Sequence, residues 1–72
     1  ILNDTNYKDQ LQRYLQNRFK EYPKYVVEEC GSVYKCTIYK RDEILEYGKG
    51  ETKKKAEQEA SKNTLIHYGV LN

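Results

Sequence analysis

The sequence predicts an α+β domain with the order α-β-β-β-α, a three-stranded antiparallel sheet and both helices packed on one face. Three observations lead to this class: helical periodicity at each end of the chain, alternating β-branched and aromatic residues between them, and short turns separating the predicted strands. Consecutive strands joined by short turns form an antiparallel meander. Its apolar face needs helices to cover it.

The first helix is predicted from apolar residues that recur at helical spacing just after Asn6, a good N-cap residue. We expect this helix to begin at Tyr7 and to end near Lys20, because Pro23 cannot continue a helix. Its apolar face consists of Tyr7, Leu11, Tyr14, Leu15 and Phe19.

The strands are predicted from segments rich in β-branched and aromatic residues. These segments cover residues 24–29, 32–40 and 43–48. In the middle segment we expect Tyr34, Cys36 and Ile38 to face the core, because side chains alternate between the two faces of a sheet. The intervening residues, which we expect to face water, are Lys35, Thr37 and Tyr39.

The second helix is predicted to follow Thr52, another good N-cap residue, and to stop before Gly69, which favours the left-handed conformation after a helix end. We expect the nearby pair Gly48 and Gly50 to allow a tight turn from the third strand and to present the start of this helix without obstruction by a Cβ atom. The pair is not a dinucleotide-binding fingerprint, because that motif also needs a third glycine and an acidic residue further along the chain, and both are missing here. The face expected to meet the core contains Ala56, Ala60, Thr64, Leu65 and Tyr68.

The composition limits the kind of partner that the chain can bind. It has 72 residues, 33% of them charged, and a net charge of +2, so a polyanion site would require a local cluster of basic residues. No apolar run approaches the ~18 residues of a membrane span, and no signal peptide opens the chain. We expect an intracellular domain, cytoplasmic or nuclear, with no membrane contact. Since the chain begins with Ile1 rather than Met, we expect a piece of a longer polypeptide.

Catalytic and metal sites are not indicated by the sequence. The single histidine, His67, comes late in the second helix, where a cation near the negative end of the helix dipole is an ordinary surface feature. Cys30 and Cys36 are too few for a disulfide framework or a zinc site, and we expect two thiols with at least one buried. A disulfide across the short hairpin is the alternative. We therefore predict no catalytic residue, metal, cofactor or small-molecule substrate.

The segment GKGETKKKAEQEAS places Lys53, Lys54 and Lys55 at the start of the second helix, where the helix dipole disfavours positive charge. Glu57 and Glu59 follow, which is the weaker order for ion pairs four residues apart. A solvated charged face is one interpretation. We favour the other, in which lysines, free N–H groups and the positive dipole end converge on an anion such as a phosphate.

A polar stripe on the first helix contains Gln12, Arg13 and Gln16. It is at least the solvated side of an amphipathic helix. Glutamine side chains also donate and accept hydrogen bonds, which suits 2′-hydroxyls and base edges in a shallow groove.

Three segments together resemble the double-stranded RNA-binding domain, and the resemblance runs from Asn6 to Gly69. NYKDQLQRYLQ is similar to the first helix of the version found at the C-terminal end of ribonuclease III. Pro23-Lys24-Tyr25 is similar to the Pro-x-Tyr entry into the first strand of the family. GKGETKKKAEQEAS resembles the Gly-x-Gly-x-(Ser/Thr)-Lys-Lys-x-Ala-Glu signature of the second helix, which is the most diagnostic segment.

The resemblance implies that the partner is double-stranded RNA, read mainly by shape over about 16 bp. By position, it implies that Gln12 and Gln16 meet 2′-hydroxyls or base edges in one minor groove. It likewise implies that Lys53 and Lys54 meet phosphates across the major groove. Lys55 stands where the family is variable.

Two positions depart from the family pattern. Arg13 replaces the usual glutamate, which would change a contact to hydroxyls into a contact to phosphate. The loop between the first two strands, Gly31 to Tyr34, is about two residues shorter than in the family and lacks its Gly-Pro-x-His sequence. Either Ser32 or Tyr34 supplies the second minor-groove contact by hydrogen bonding, or the domain holds RNA through two regions only.

The likeness to ribonuclease III also implies how the chain is divided. Residues 1–6 resemble the end of a linker from an upstream catalytic domain, residues 7–69 form the RNA-binding domain, and residues 70–72 form a short tail. This fragment would then bind and present duplex RNA without cutting it, and a homodimer would form through the parent chain.

Two other functions compete with this hypothesis. The short loop and eight tyrosines are also consistent with a protein-interaction or dimerisation module, in which Tyr22, Tyr39 and Tyr47 are exposed. Stacking of single-stranded RNA on the sheet is less favoured, because the sequence has no aromatic-rich motif of the kind used for that purpose.

Overall fold

A computed structural model of the chain describes residues 6–71. The element order is the predicted one: α1 (Tyr7–Phe19), β1 (Lys24–Cys30), β2 (Val33–Lys40), β3 (Glu43–Gly50) and α2 (Lys53–His67). Residues 1–5 of the predicted linker, and residue 72 of the predicted tail, lie outside the described residues. Neither described helix combines the length and the apolar character that a membrane crossing requires.

Helix α1 begins and ends where the sequence predicts. The side chain of Asn6 accepts a hydrogen bond of 3.3 Å from the N–H of Asp9, which confirms Asn6 as the N-cap. The helix stops at Lys20, whose φ of 60° is in the left-handed region. Leu11 and Leu15 are fully buried, so the predicted apolar face is the face that packs inward.

The three strands form one antiparallel sheet in the order β1-β2-β3. Two-residue turns join them, since Cys30 pairs with Val33 and Lys40 pairs with Glu43. The first turn begins with Gly31 at a φ of 66°, as expected of a tight hairpin with a positive φ at its first position. Both predicted turns are therefore confirmed.

A bulge in β3 changes which residues face the helices. Ile38 pairs with Glu46, and Tyr39 pairs with Ile44, so Leu45 is the extra residue. Leu45 is 7% exposed and joins the core, while Glu46 approaches α2 and lies 3.1 Å from the Nδ1 of His67. The bulge brings two consecutive side chains to the covered side of the sheet.

The two cysteines differ in their surroundings. Cys36 is buried, as predicted for at least one thiol, and Cys30 is exposed. Cys36 pairs with Val27, whereas Cys30 pairs with Val33 at the hairpin end. The alternation of side chains puts the two thiols on opposite faces of the sheet, so the alternative of a disulfide across the hairpin is wrong.

Helix α2 lies directly over β3, at a distance that only glycine permits. A Cβ atom at Gly48 would come within 2.3 Å of the main-chain N of Ala60, and one at Gly50 would come within 2.7 Å of the N of Ala56. Both glycines belong to β3, which continues two residues past its predicted end. The expectation that they form a tight turn is therefore wrong. The expectation that the missing Cβ atoms leave room for α2 is confirmed, because each glycine lets the helix approach the strand backbone.

The core lies between the sheet and the helices. Its buried apolar residues are Leu11, Leu15, Cys36, Ile38, Leu45, Ala56, Ala60 and Leu65. The other face of the sheet is not covered by either helix. There Ile44 and Tyr47 are 59% and 54% exposed, while Tyr39, which was expected to be exposed, is half-buried.

Candidate nucleic-acid interface

The start of α2 presents positive charge to solvent. The Oγ1 of Thr52 accepts a hydrogen bond of 3.0 Å from the N–H of Lys55, which confirms Thr52 as the N-cap. Lys53, Lys54 and Lys55 are all exposed, and the first turn contains no acidic residue. The remaining N–H groups and the positive end of the dipole therefore point the same way as the lysines.

The three lysines differ in how their charge is balanced. The Nζ of Lys55 lies 3.8 Å from a carboxylate oxygen of Glu51. Within residues 6–71, neither Lys53 nor Lys54 forms an ion pair. Neither Lys53 with Glu57 nor Lys55 with Glu59, the pairs whose order is unfavourable for an ion pair, forms a salt bridge. Lys53 and Lys54 thus carry the positive charge that is available to an anion.

Glu57 is occupied by helix α1 instead. Its Oε1 lies 2.7 Å from the Nζ of Lys8, and it is half-buried, so Glu57 is not a solvated charge on the helix surface. Next to it, the Oε1 of Gln58 accepts a hydrogen bond of 2.9 Å from the main-chain N–H of Tyr7. These contacts hold the first turn of α1 against α2. Sequence spacing gives no sign of them, because about 50 residues separate the partners.

The polar stripe of α1 is exposed, as predicted, but two of its members already have partners. The guanidinium of Arg13 donates to the carboxylate of Asp9 one turn earlier in the helix. The Nε2 of Gln16 donates a hydrogen bond of 2.9 Å to the hydroxyl of Tyr22, in the connection to β1. Gln12 lies exposed between these two contacts along the helix.

The hairpin between β1 and β2 separates the two residues expected there. Ser32 is exposed at the tip of the turn. Tyr34 is half-buried in β2, pairs with Gly50, and packs against the core. The Nζ of Lys53 lies 6.0 Å from the centre of the Tyr34 ring. Tyr34 therefore belongs to the surroundings of the α2 start, and Ser32 alone occupies the loop tip.

The titratable groups of the interior show the effect of burial. Burial raises the pKa of Cys36 to about 11 and also raises the pKa of Tyr25, whose buried hydroxyl has no hydrogen-bond partner among the described residues. His67 is exposed beside Glu46, consistent with a surface histidine. Residues 6–71 contain no group of three or more His, Cys, Asp or Glu side chains that could hold a metal ion.

Comparison with known proteins identifies the family of this fold and surface. The sequence is 38% identical over 65 residues to Ribonuclease 3 of Syntrophomonas wolfei, an alignment that covers 83% of this chain. The chain spans only 28% of the length of that ribonuclease. A family model described as the double-stranded RNA binding motif matches residues 7–68. That match covers both helices and the whole sheet, so the chain belongs to the double-stranded RNA binding motif family.

Proposed function

We propose that this domain binds double-stranded RNA by shape, with α1 in a minor groove and the start of α2 on the phosphates. The observation that carries the proposal is the pair of unbalanced lysines, Lys53 and Lys54, at a helix N-terminus with no acidic residue in its first turn. Each lysine there costs the helix up to about 1 kcal/mol through the dipole. A bound phosphate would reverse that effect.

The hydrogen bonds between α1 and α2 support recognition of duplex RNA by its shape. Tyr7 and Lys8 are held to Gln58 and Glu57, so the exposed stripe of α1 keeps one position relative to the lysines of α2. A protein that recognises A-form geometry must match the separation of a minor groove and a neighbouring row of phosphates. A fixed spacing between the two contact surfaces would provide that match.

The residues would differ in their contributions. Gln12 and Gln16 would meet 2′-hydroxyls or base edges, since an amide both donates and accepts. Lys53 and Lys54 would carry most of the phosphate binding, and Lys55 less, because Glu51 offsets part of its charge. Arg13 would contribute less to phosphate binding than an unpaired arginine, because Asp9 offsets part of its charge.

The loop contact would be weak or missing in this domain. The turn has two residues, with the small side chain of Ser32 at its tip and Tyr34 withdrawn into β2. We therefore favour two contact regions on the duplex, with Ser32 as the only side chain of the turn available for a third.

The likeness to Ribonuclease 3 supports a role for the parent protein. We infer that residues 7–69 are the substrate-binding module of a ribonuclease III-type endoribonuclease that cuts duplex RNA. The catalytic domain would precede the linker at residues 1–6, and a homodimer would form through the parent chain. The module itself would act inside the cell, in the cytoplasm or nucleus, without metal, cofactor or catalysis of its own.

A direct test compares the binding of the domain to double-stranded RNA, double-stranded DNA and single-stranded RNA of equal length. We expect tight binding to duplex RNA alone. For Lys53→Ala with Lys54→Ala, we expect weaker binding and a log–log salt slope that is shallower by roughly two, because about two phosphate contacts are lost.

The matched control is Lys24→Ala with Lys35→Ala, which removes the same charge from the uncovered side of the sheet. This variant should keep the salt slope of the unaltered domain. Equal effects of the two double variants would mean that net charge alone sets the affinity. Equal binding to duplex RNA and duplex DNA would reject recognition by shape.

A protein-interaction module is the second candidate, favoured by the exposed Ile44 and Tyr47 on the uncovered sheet face. Sedimentation at high protein concentration separates the two. A monomer that binds duplex RNA would leave this candidate without support.

A further inference from the structure

Tyr22 is an exposed aromatic residue in the connection between α1 and β1. It is 59% exposed, and its hydroxyl accepts the hydrogen bond of 2.9 Å from the Nε2 of Gln16. The contact is notable because Gln16 is one of the two glutamines expected to meet RNA.

The backbone on the N-terminal side of Tyr22 is held by several contacts. The N–H of Lys20 donates to the carbonyl of Gln16 at 3.1 Å, and the N–H of Glu21 donates to the carbonyl of Leu15 at 3.4 Å. The Glu21 carboxylate also pairs with Arg41 of the β2–β3 turn, at 2.6 Å. On the other side, Pro23 restricts the chain. The hydroxyl of Tyr22 is therefore held beside Gln16, in the last turn of α1.

We propose that Tyr22 is a positioning residue that sets the orientation of the Gln16 amide for ribose recognition. By accepting from the Nε2 of Gln16, the hydroxyl keeps the amide nitrogen turned toward the connection. The Oε1 of Gln16, which has no hydrogen bond among the described residues, then remains free as an acceptor. A ribose 2′-hydroxyl can donate to that oxygen, whereas a deoxyribose has no such donor.

The inference rests on the proposed function, because it concerns how α1 distinguishes RNA from DNA. Without Tyr22, the exposed amide of Gln16 could rotate and present either end, and it would lose rotational freedom on binding. Tyr22 thus contributes to discrimination between sugars without contacting phosphate.

The test compares a ribose duplex with a 2′-fluoro duplex of the same sequence, which keeps A-form geometry but has no 2′-hydroxyl donor. For Tyr22→Phe we expect affinity for the ribose duplex to fall on the order of two- to tenfold, with little change for the 2′-fluoro duplex. The salt slope should stay constant, since no phosphate contact is removed. Gln16→Ala should show the same selective loss, and the double variant should lose no more than Gln16→Ala alone.

Tyr47→Phe is the matched control, because it removes an exposed tyrosine hydroxyl from the uncovered sheet face. It should leave both affinities unchanged. The inference would be overturned if Tyr22→Phe lowered both affinities equally. It would also be overturned if the full effect of Tyr22→Phe were added to that of Gln16→Ala in the double variant. That result would leave the proposed function intact as long as Lys53→Ala with Lys54→Ala still weakens duplex binding. If the unaltered domain does not prefer RNA to DNA, both proposals fail together.

Discussion

The main-chain N–H of Tyr7 donates a hydrogen bond of 2.9 Å to the Oε1 of Gln58, from the first residue of α1 to the second turn of α2. The first N–H groups of a helix have no partner within the helix itself. Here one of them is satisfied by a side chain of the other helix. This contact therefore both completes the start of α1 and fixes where α1 lies.

Replacing Gln58 with alanine should weaken both the fold and its RNA binding. The N–H of Tyr7 loses its acceptor, which costs about 1 kcal/mol and lowers the Tm by about 4–8 °C for a domain of this size. The affinity for duplex RNA should fall as α1 loosens, with the salt slope unchanged. Thermal unfolding and gel shifts measure the two effects.

Two neighbouring variants serve as controls. Gln58→Glu keeps an acceptor and places a negative charge near the N-terminus of α1, so stability should be retained. Glu59→Ala removes an exposed neighbouring side chain and should have little effect. If Gln58→Ala and Glu59→Ala have the same Tm, the hydrogen bond does not hold the helices.

Gly48→Ala should be among the most damaging small substitutions in this domain. Its Cβ would lie 2.3 Å from the N of Ala60, so the helix or the strand must shift, at a cost of about 3 kcal/mol. Gly31→Ala provides the contrast: its Cβ meets nothing within 4 Å, but its φ of 66° suits glycine, which predicts a loss of about 1–2 kcal/mol. Urea unfolding should show a larger loss of unfolding free energy for Gly48→Ala than for Gly31→Ala. The reverse ranking would contradict the close packing of α2 on β3.

Lys20→Gly should stabilise the domain, although it removes a side chain. Lys20 ends α1 with φ 60° and ψ 36°, a conformation that glycine adopts without strain. We expect a gain of about 0.5–1 kcal/mol in the free energy of unfolding, because the relieved backbone strain exceeds the extra chain entropy that glycine loses on folding. Lys20→Ala, which removes the same charge but keeps a Cβ atom, should show no gain. Equal stability of these two variants would refute the prediction.

The two thiols should react at very different rates. Exposed Cys30 should be labelled quickly by a thiol reagent at pH 8, and buried Cys36 only when the domain opens. Cys30→Ala isolates the slow thiol. Rapid labelling of that variant under native conditions would show that Cys36 is not enclosed by the fold.

Cys36 should also make stability depend on alkaline pH. Burial raises its pKa from 9.0 to about 11, so between those values the folded chain holds a proton that the unfolded chain releases. This contribution is complete below pH 9 and is lost as the pH rises toward 11. The free energy of unfolding, measured with urea across this pH range, should fall less steeply for Cys36→Ala than for the unaltered domain. Parallel pH profiles would contradict the prediction.

Much of the fold could be predicted because its signals are local. Asn6 and Thr52 are caps whose side chains bond three residues along the chain. The alternation of Tyr34, Cys36 and Ile38 identifies the buried face of β2, since the period of a strand is two residues. Local propensity and periodicity agree with the final structure at these positions.

The candidate site was predictable only in part, for the same reason. Lys53 and Lys54 are recognisable because their charge opposes the dipole of their own helix. The partners of Glu57 and Gln16 were not predicted. Glu57 meets a residue about 50 positions away, and Gln16 meets Tyr22 only because Lys20 turns the chain back.

Local residue patterns predict the order of the elements, the helix caps, the buried faces and the lysines of α2, because each depends on residues within a turn or two of one another. The packing of the elements decided that Gly48 and Gly50 lie in β3 against α2 rather than in a turn. It also decided that Tyr34 belongs to the α2 start and that Tyr7 is held by Gln58. These relationships arise where distant segments pack together, and no local pattern of residue types encodes such distances.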